Sequence, residues 1–273
     1  MNKLQITIAM FGLLATSLLF FSCNDDDFVR PTGKDGRPSL FYMDDGETIG
    51  LVYRDGRLSE TKKQDGSNTQ FGYEGRFLKS ISINPPRDVA DGHAYTSFFP
   101  EKKNKIKVSS SGEPSFHEAR YEIELDEQGR AAKISFLGFF APNSADIVAV
   151  PSTYSLISYD EAGNLTKIES FQTKDGLHYR TCTYQYDQSK GSMSQSGLPS
   201  WYAAYHANRY ATFTELAAWQ FLNIHNNVTE ISIRNVPDTN PSVIHIDYTY
   251  NKDDYPTSAF TNEPEKGRID IRY

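Results

Sequence analysis

The chain has 273 residues, with 28 Lys or Arg against 35 Asp or Glu, which gives a formal net charge of −7. This acidic balance argues against a nucleic-acid-binding protein, which needs a clustered basic surface. The length suffices for one or two domains with a sizeable core. Its 17 Tyr and 17 Phe residues favour strands, because aromatic side chains suit half-buried pleated surfaces.

The first 22 residues have the pattern of a secretory leader. A basic tip precedes an almost wholly apolar run over residues 4–21, and the small Ser22 precedes Cys23. Leu19 and Ser22 before Cys23 resemble the bacterial lipobox. We therefore predict that residues 1–22 are a lipoprotein signal peptide and that the Cys23 sulfur carries diacylglycerol. The alternative is a single transmembrane anchor, but it leaves a cysteine at this junction unexplained.

Lipidation at Cys23 would place acyl chains such as palmitate in a membrane, and two anchoring signals already suffice for stable attachment. The acidic run at residues 24–27 resembles the lipoprotein export signal of Bacteroidetes, which directs lipoproteins to the outer face of the outer membrane. We therefore expect a lipid-anchored, surface-exposed outer-membrane protein with an acidic tether over residues 23–38. The alternative for the run is a solvated spacer of like charges.

A weak repeat occupies the chain after the tether. A copy has an apolar residue, a Tyr two positions later (Leu125 in the third copy), a short polar stretch, a Gly and a second apolar stretch. Copies span residues 51–58, 71–83, 123–134 and 157–168, and partial copies open at Tyr184 and Tyr248. The polar stretch with Gly has the chemistry of a hairpin turn, because Asp bonds the local backbone and Gly accepts a positive φ. The flanks alternate with the period of a strand.

The spacing of these turns predicts the fold class. Early turns recur about ten residues apart, at residues 45–46, 55–56, 65–66 and 75. Such spacing is typical of an antiparallel meander, and the pattern gives about 14 strands. An open sheet of that size must curl or close to hide its edges. We therefore predict a mainly β, curved or barrel-like meander over residues 39–273, with a sandwich as the second choice.

One helical insertion interrupts the meander at about residues 190–226. Pro199 suits a first helical turn, and Thr212 with Glu215 has the pattern of a capping box. Apolar residues then follow at helical spacing, and the pair Asn226-Asn227 is predicted to end the helix.

Together these features resemble a family of uncharacterised Bacteroidetes lipoproteins with YD-type repeats and a porin-like β fold. The resemblance covers most of the chain after Cys23. It implies a fold and an envelope location, and the family has no established activity to carry over. The residues that carry it are Tyr159-Asp160-x-x-Gly163-x-Leu165, Tyr184-x-Tyr186-Asp187 and Asn226-Asn227-Val228-Thr229-Glu230-Ile231.

The sequence contains no recognisable catalytic motif. The 6 His residues lack metal-ligand spacing, and there is no phosphate loop or nucleophile elbow. The acid pairs at 126–127, 160–161 and 253–254 fall in hairpin turns, where Asp serves the backbone. We therefore predict no catalytic, cofactor or metal site. Cys182 is interpreted as a small buried hydrophobe rather than a reactive thiol.

The aromatic insertion is the candidate ligand or partner contact, through Trp201, Tyr202, Tyr205 and Trp219. Exposed aromatic rings suit binding faces, so we predict a non-catalytic module that binds a glycan, a peptide or a partner protein. In that case Trp201 or Trp219 should lie near the surface. The other reading of the helices, which we favour for their aromatic side chains, is a plug or cap in which those side chains serve as core. The alternative functions are a structural component that assembles with other outer-membrane proteins and, less favoured, an extracellular hydrolase.

Overall fold

The computed structural model describes residues 35–86, 93–101, 104–112, 115–140, 147–149, 152–210, 216–261 and 267–273. Residues Pro31–Tyr273 form one compact unit. The first nine strands are β1 (Leu40–Met43), β2 (Thr48–Arg54), β3 (Arg57–Lys63), β4 (Asn68–Glu74), β5 (Phe77–Asn84), β6 (Ala94–Glu101), β7 (Lys105–Gly112), β8 (Ser115–Leu125) and β9 (Ala131–Phe140). The next are β10 (Ile147–Ala149), β11 (Thr153–Tyr159), β12 (Leu165–Gln172), β13 (His178–Tyr186), β14 (Val228–Asn235), β15 (Ser242–Tyr250), β16 (Pro256–Thr261) and β17 (Arg268–Arg272).

These strands form one antiparallel sheet that closes on itself. From β1 to β9 and from β11 to β17 each strand pairs with the next, β9 pairs with β11, and the short β10 pairs along β9. The ring is completed by β17, which pairs with β1 from Leu40↔Arg272 to Met43↔Ile269. The result is a closed barrel of 16 strands. The prediction of a barrel-like antiparallel meander with one helical insertion is confirmed. Closure leaves the sheet without an unpaired edge strand.

The turns alternate between the two ends of the barrel. We call the end at which β13 leads into residues 187–227 the insertion end, and the opposite end the cavity end. Tight turns at the insertion end use Gly at positive φ, as at Gly163 with φ 92°. There Asp160 Oδ1 accepts a hydrogen bond from the Asn164 amide at 2.8 Å, so the side chain closes the turn. Because the strands alternate in direction, β1 begins at the insertion end.

Tyrosine side chains tie neighbouring hairpins together at the insertion end. In each case the hydroxyl donates to a main-chain carbonyl oxygen at the start of a strand in the adjacent hairpin. The pairs are Tyr73 with Leu58, Tyr159 with Ala131 and Tyr248 with Val228, each at 3.0 Å. Tyr73 and Tyr159 of the repeat therefore hold one hairpin to the next, whereas the buried hydroxyls of Tyr53 and Tyr186 have no hydrogen-bond partner among the described residues.

Wall side chains alternate between the lumen and the outer face. Leu51, Ile123 and Ile168 point inward and are completely buried. A barrel this wide cannot be filled by its wall side chains alone. The insertion fills it with helix α1 (Ser200–Tyr210), helix α2 (Leu216–Trp219) and a 3-10 turn (Gln220–Leu222), whose apolar side chains form one core with the wall. We refer to these three elements as the plug.

A buried polar cluster joins the two chain segments that flank the plug at the insertion end. Asn227 donates through Nδ2 to Asp187 Oδ2 at 3.2 Å and to the Lys190 carbonyl oxygen at 3.0 Å. Its Oδ1 accepts a hydrogen bond from the Ser192 amide at 3.0 Å. Asn227 was predicted to end a helix, but the last helical turn ends at Leu222 and Asn227 is instead a fully buried anchor. An amide side chain suits this position because its Nδ2 group donates to one buried backbone group while its Oδ1 atom accepts from another.

Several sequence predictions fall outside the described residues. These are the signal peptide over residues 1–22, the lipidated Cys23, most of the tether, and the capping-box residues Thr212 and Glu215. Within the described part of the chain, Cys182 is buried beside Tyr184 on the lumenal face of β13. Burial raises the pKa of its thiol, so the side chain behaves as an apolar one.

Candidate functional site

The four aromatic residues proposed as a contact surface lie inside the barrel. Trp201, Tyr202, Tyr205 and Trp219 are between 3% and 6% exposed. Trp201 packs edge-on against Phe98 of the wall, with ring centroids 4.9 Å apart. They do not form an exposed platform, because their apolar area is needed to fill a wide lumen. This arrangement matches the plug alternative.

The plug leaves part of the lumen open. A cavity of about 380 Å³ lies between the plug and the inner faces of β1–β6. Tyr202 and Tyr205 line it, whereas Trp201 and Trp219 do not. Its apolar lining consists of Phe41, Ile49, Phe71, Ile81, Ile83, Ala218 and Phe221. This size and composition fall within the range of ligand-binding cavities in proteins.

Arg209, in the last turn of α1, supplies a positive charge to the cavity wall. Its Nη1 donates to Ser110 Oγ at 2.6 Å and to the Tyr205 hydroxyl at 3.0 Å. Ser110 Oγ in turn lies 2.9 Å from Thr96 Oγ1 on the adjacent strand. The guanidinium is therefore held in a defined position by the wall and by its own helix.

His206, one helical turn before Arg209, lines the same cavity as a neutral group. Its Nε2 lies 3.1 Å from the carbonyl oxygen of Ala218, so Nε2 carries the proton. Burial lowers the pKa of His206 to about 4, and the nearby Arg209 charge also lowers it, against a smaller opposing effect of that hydrogen bond. The imidazole consequently adds polarity without charge at neutral pH.

The cavity opens at the cavity end. Its rim includes Lys63, Asn68 and Asn84, and the two Asn side chains hydrogen bond at 2.8 Å. Ile83 faces the lumen in the register of β4 and β5, yet it is 38% exposed. Solvent therefore reaches the lumen here. Since β1 begins at the insertion end, the chain enters the barrel on the side opposite this opening.

Solved structures to which this chain shows similarity include two from Bacteroides. A porin-like protein from Bacteroides uniformis ATCC 8492 superposes with a TM-score of 0.42 and 11% identity, covering 86% of this chain and 95% of that one. A porin-like protein from Bacteroides vulgatus ATCC 8482 gives a TM-score of 0.38 and 11% identity, covering 87% and 98%. No family model and no curated protein matches the sequence.

The outer wall is charged. Glu122 and Glu124 of β8 point outward on either side of the buried Ile123, and they pair with Lys105 at 2.7 Å and Lys133 at 3.4 Å. Further outward pairs join Lys167 to Glu169 and Arg268 to Asp270. A membrane-spanning barrel has the reverse arrangement, an apolar outer band around a polar lumen, and a Lys or Arg facing lipid at mid-bilayer costs about 2–4 kcal/mol. These ion pairs are suited to water.

Other candidate chemistry is dispersed. Among the described residues, no three His, Cys, Asp or Glu side chains come together as a metal-binding group. In the same residues, no helix has the length and apolar character that crossing a bilayer requires. Of the acid pairs, Asp126 and Asp160 each accept backbone hydrogen bonds within their own turn. Asp254 occupies a positive-φ position in its turn.

Sequence reasoning did not find the cavity. Its polar lining comes from inward-facing positions of separate strands, among them Thr61, Thr69 and Thr96, and from Arg209 in the insertion. The available signal was a polar residue at a position where the strand alternation calls for an apolar one. On β4, for example, Thr69 and Phe71 share the lumenal face.

Proposed function

We propose that this protein is a lipid-anchored envelope protein, displayed on the outer-membrane surface, that binds a small molecule inside its barrel without catalysis. The observation that carries the proposal is the cavity of about 380 Å³ between the plug and β1–β6. It combines an apolar lining with a few polar groups at fixed positions, which is the usual composition of a small-molecule site.

Two observations support attachment through Cys23. The leader ends at a lipobox-like Leu-x-x-Ser-Cys pattern. The outer wall carries ion pairs such as Lys105–Glu122 and Lys167–Glu169, which suit water, and acyl chains at Cys23 would supply attachment to a membrane.

The alternative functions have less support. A structural component that assembles with other outer-membrane proteins needs no concave pocket, whereas the described residues enclose a cavity. A hydrolase needs two carboxylates facing each other across a cleft. The candidate carboxylates Asp126 and Asp160 serve their own turns.

Ligand binding in the lumen can be tested with the neutral fluorophore N-phenyl-1-naphthylamine. Residues 24–273 contain the whole compact unit and are free of signal peptide and lipid. Saturable enhancement of fluorescence is expected with this protein. Thr69→Phe, which places a ring inside the lumen, should weaken binding by about tenfold, a change of about 1.4 kcal/mol.

The matched control is Gln70→Phe, which places the same ring on the outer face of the same strand. It should bind the fluorophore as wild type does. Equal binding by all three proteins would show that the fluorophore sits elsewhere, and absence of binding by wild type would contradict lumenal binding.

Anchoring is tested separately by metabolic labelling with palmitate. The full-length wild-type protein should incorporate label and partition into the detergent phase, whereas Cys23→Ser should do neither. Protease added to intact cells should digest the wild-type protein if it is displayed on the surface. A labelled Cys23→Ser protein would contradict the proposed attachment site.

A further inference from the structure

Two pairs of hydroxyl side chains on the lumenal face are bonded to each other across neighbouring strands. Thr96 of β6 lies opposite Ser110 of β7, and their side-chain oxygens are 2.9 Å apart. Ser155 of β11 and Ser170 of β12 are arranged in the same way, also at 2.9 Å. All four residues are buried, and each hydroxyl has the partner that a buried polar group needs.

A third opposed pair, Thr61 of β3 and Thr69 of β4, lacks such a bond. We call these two residues the threonine pair. Thr61 also lies opposite the fully buried Leu51 of β2, so the pair faces the lumen, and both residues line the cavity. Within the described part of the chain, neither hydroxyl has a protein hydrogen-bond partner. Opposed Cβ atoms lie roughly 5 Å apart, so the two hydroxyls can reach the same ligand atom.

The threonine pair lies between the opening and the deeper apolar part of the cavity. On β4 the chain runs inward from Asn68 at the rim, so Phe71 lies roughly 7 Å deeper than Thr69 on the same face. Phe71 lies opposite Ile81, and its ring centroid is 6.4 Å from that of Phe221 in the plug. A ligand held at the threonine pair can therefore extend an apolar body inward over these groups.

The cations of the lining already have partners within the protein. Lys63 pairs with Glu47 at 2.6 Å, and Arg209 donates to Ser110 and to Tyr205. An ion that entered this largely apolar space would lose its hydration at a high cost in free energy. An uncharged ligand with one hydroxyl or carbonyl group needs only a neutral partner for that group, and the threonine pair can supply it.

The volume of the cavity limits the ligand to a small molecule. Ligand pockets in proteins span roughly 300–1,000 Å³, and this cavity of about 380 Å³ is near the lower end of that range. The space suits one or two fused rings or a short alkyl chain. It is too small for a diacyl lipid or a polysaccharide.

We propose that the lumen binds an uncharged, mainly apolar small molecule whose hydroxyl or carbonyl oxygen is held by Thr61 and Thr69. Its apolar body lies deeper in the cavity, over Phe71 and Ile81. This inference rests on the proposed function, because it takes the lumen as the ligand site, and it adds the chemical class of the ligand and the residues that select it.

Three naphthalene compounds of similar size provide the test. Naphthalene has no polar group, 1-naphthol has a hydroxyl, and 1-naphthoate has a carboxylate at neutral pH. Their affinities are measured by displacement of N-phenyl-1-naphthylamine from residues 24–273. Thr61→Val/Thr69→Val keeps the side-chain shapes and removes both hydroxyls. It should weaken 1-naphthol binding by about tenfold and change naphthalene binding by less than about twofold. Wild type should bind 1-naphthoate less tightly than 1-naphthol.

Two control variants separate the lumenal hydroxyls from other effects of substitution. Thr61→Ser/Thr69→Ser keeps both hydroxyls and should bind 1-naphthol within about threefold of wild type. Thr183→Val removes a hydroxyl from the outer face of β13, beside the inward-facing Cys182, and should leave all affinities unchanged. Naphthalene binding by each variant also shows that its barrel is folded.

Each outcome decides between the two proposals. If wild type binds the compounds but the valine double variant binds 1-naphthol equally well, the assignment to the threonine pair is wrong and lumenal binding stands. Equal weakening of naphthalene and 1-naphthol would mean that the pair acts only on the shape of the cavity, which also overturns the assignment. Tighter binding of 1-naphthoate than of 1-naphthol would show that the lumen selects an anion. If none of the compounds, including N-phenyl-1-naphthylamine, binds wild type, the proposed function itself fails.

Discussion

The guanidinium of Arg130 lies over the ring of Tyr159, 4.5 Å from its centroid. The same tyrosine donates its hydroxyl proton to the carbonyl oxygen of Ala131, the residue after Arg130. One hairpin is thus attached to the next by a cation–π contact and a hydrogen bond to consecutive residues. Arg57 has the equivalent position over Tyr73, with its guanidinium carbon 4.9 Å from the ring centroid. The recurring Gly-Arg and Tyr of neighbouring hairpins are therefore partners.

The hydrogen bond in this arrangement can be removed alone. Tyr159→Phe keeps the ring beneath Arg130 but leaves the Ala131 carbonyl oxygen without its phenol donor. We expect a loss of about 1 kcal/mol in the free energy of unfolding, measured by urea titration. Tyr95→Phe, at an outward position that is 48% exposed, should change it by less than about 0.5 kcal/mol. Equal effects of the two substitutions would contradict the assigned role.

The hairpins could be predicted because their determinants are local. Asp160 and Gly163 close a turn through a side-chain hydrogen bond and a positive φ. Both requirements of the turn are met within four adjacent residues. Closure of the barrel is different, because it depends on the pairing of β1 with β17. Nothing local in either strand specifies that partner, so the sequence left a barrel and a sandwich as alternatives.

The site was harder to predict than the fold. A tryptophan such as Trp201 suits a binding surface and a core equally well. Only the width of the barrel decides that it is buried. The cavity is formed by residues distant in sequence, such as Ile49, Thr96 and Arg209, that meet only after closure. The residue pattern of a single strand or helix cannot reveal contacts between residues so distant in sequence.

The Asn227 cluster gives a second stability prediction. Asn227→Ala removes hydrogen bonds to Asp187, Lys190 and Ser192 in a fully buried setting. Leaving these buried groups unsatisfied should lower the free energy of unfolding by about 3 kcal/mol. Asn235→Ala at the exposed end of β14 is the matched control, with an expected change within about 0.5 kcal/mol. A small effect at Asn227 would indicate that the insertion is held mainly by its apolar core.

His206 should make folding stability depend on pH. Because burial lowers its pKa to about 4, the side chain takes up a proton in the unfolded chain from about pH 6.5 downward, before it does so in the folded protein. Its contribution is therefore complete above about pH 6.5 and declines as the pH falls towards 4. The expected loss across this interval is about 3 kcal/mol.

Urea titrations of wild type and His206→Gln between pH 7 and pH 4 measure this effect. Glutamine can still donate to the Ala218 carbonyl oxygen but does not titrate, so the variant should have a flatter profile in this interval. Superimposable curves for wild type and His206→Gln would mean that the imidazole is equally protonated in both states.

The pairing of β1 with β17 also governs the order of assembly. Ser39 Oγ donates to the Arg272 carbonyl oxygen across 233 positions of sequence, so the seam forms between the first strand and the last. The ring can be joined only when β17 reaches β1, whatever hairpins have formed earlier. Non-local contacts of this kind slow folding and leave unpaired edges exposed meanwhile. Until its last strand pairs with its first, the folding chain is therefore an open sheet with two edges that can mispair.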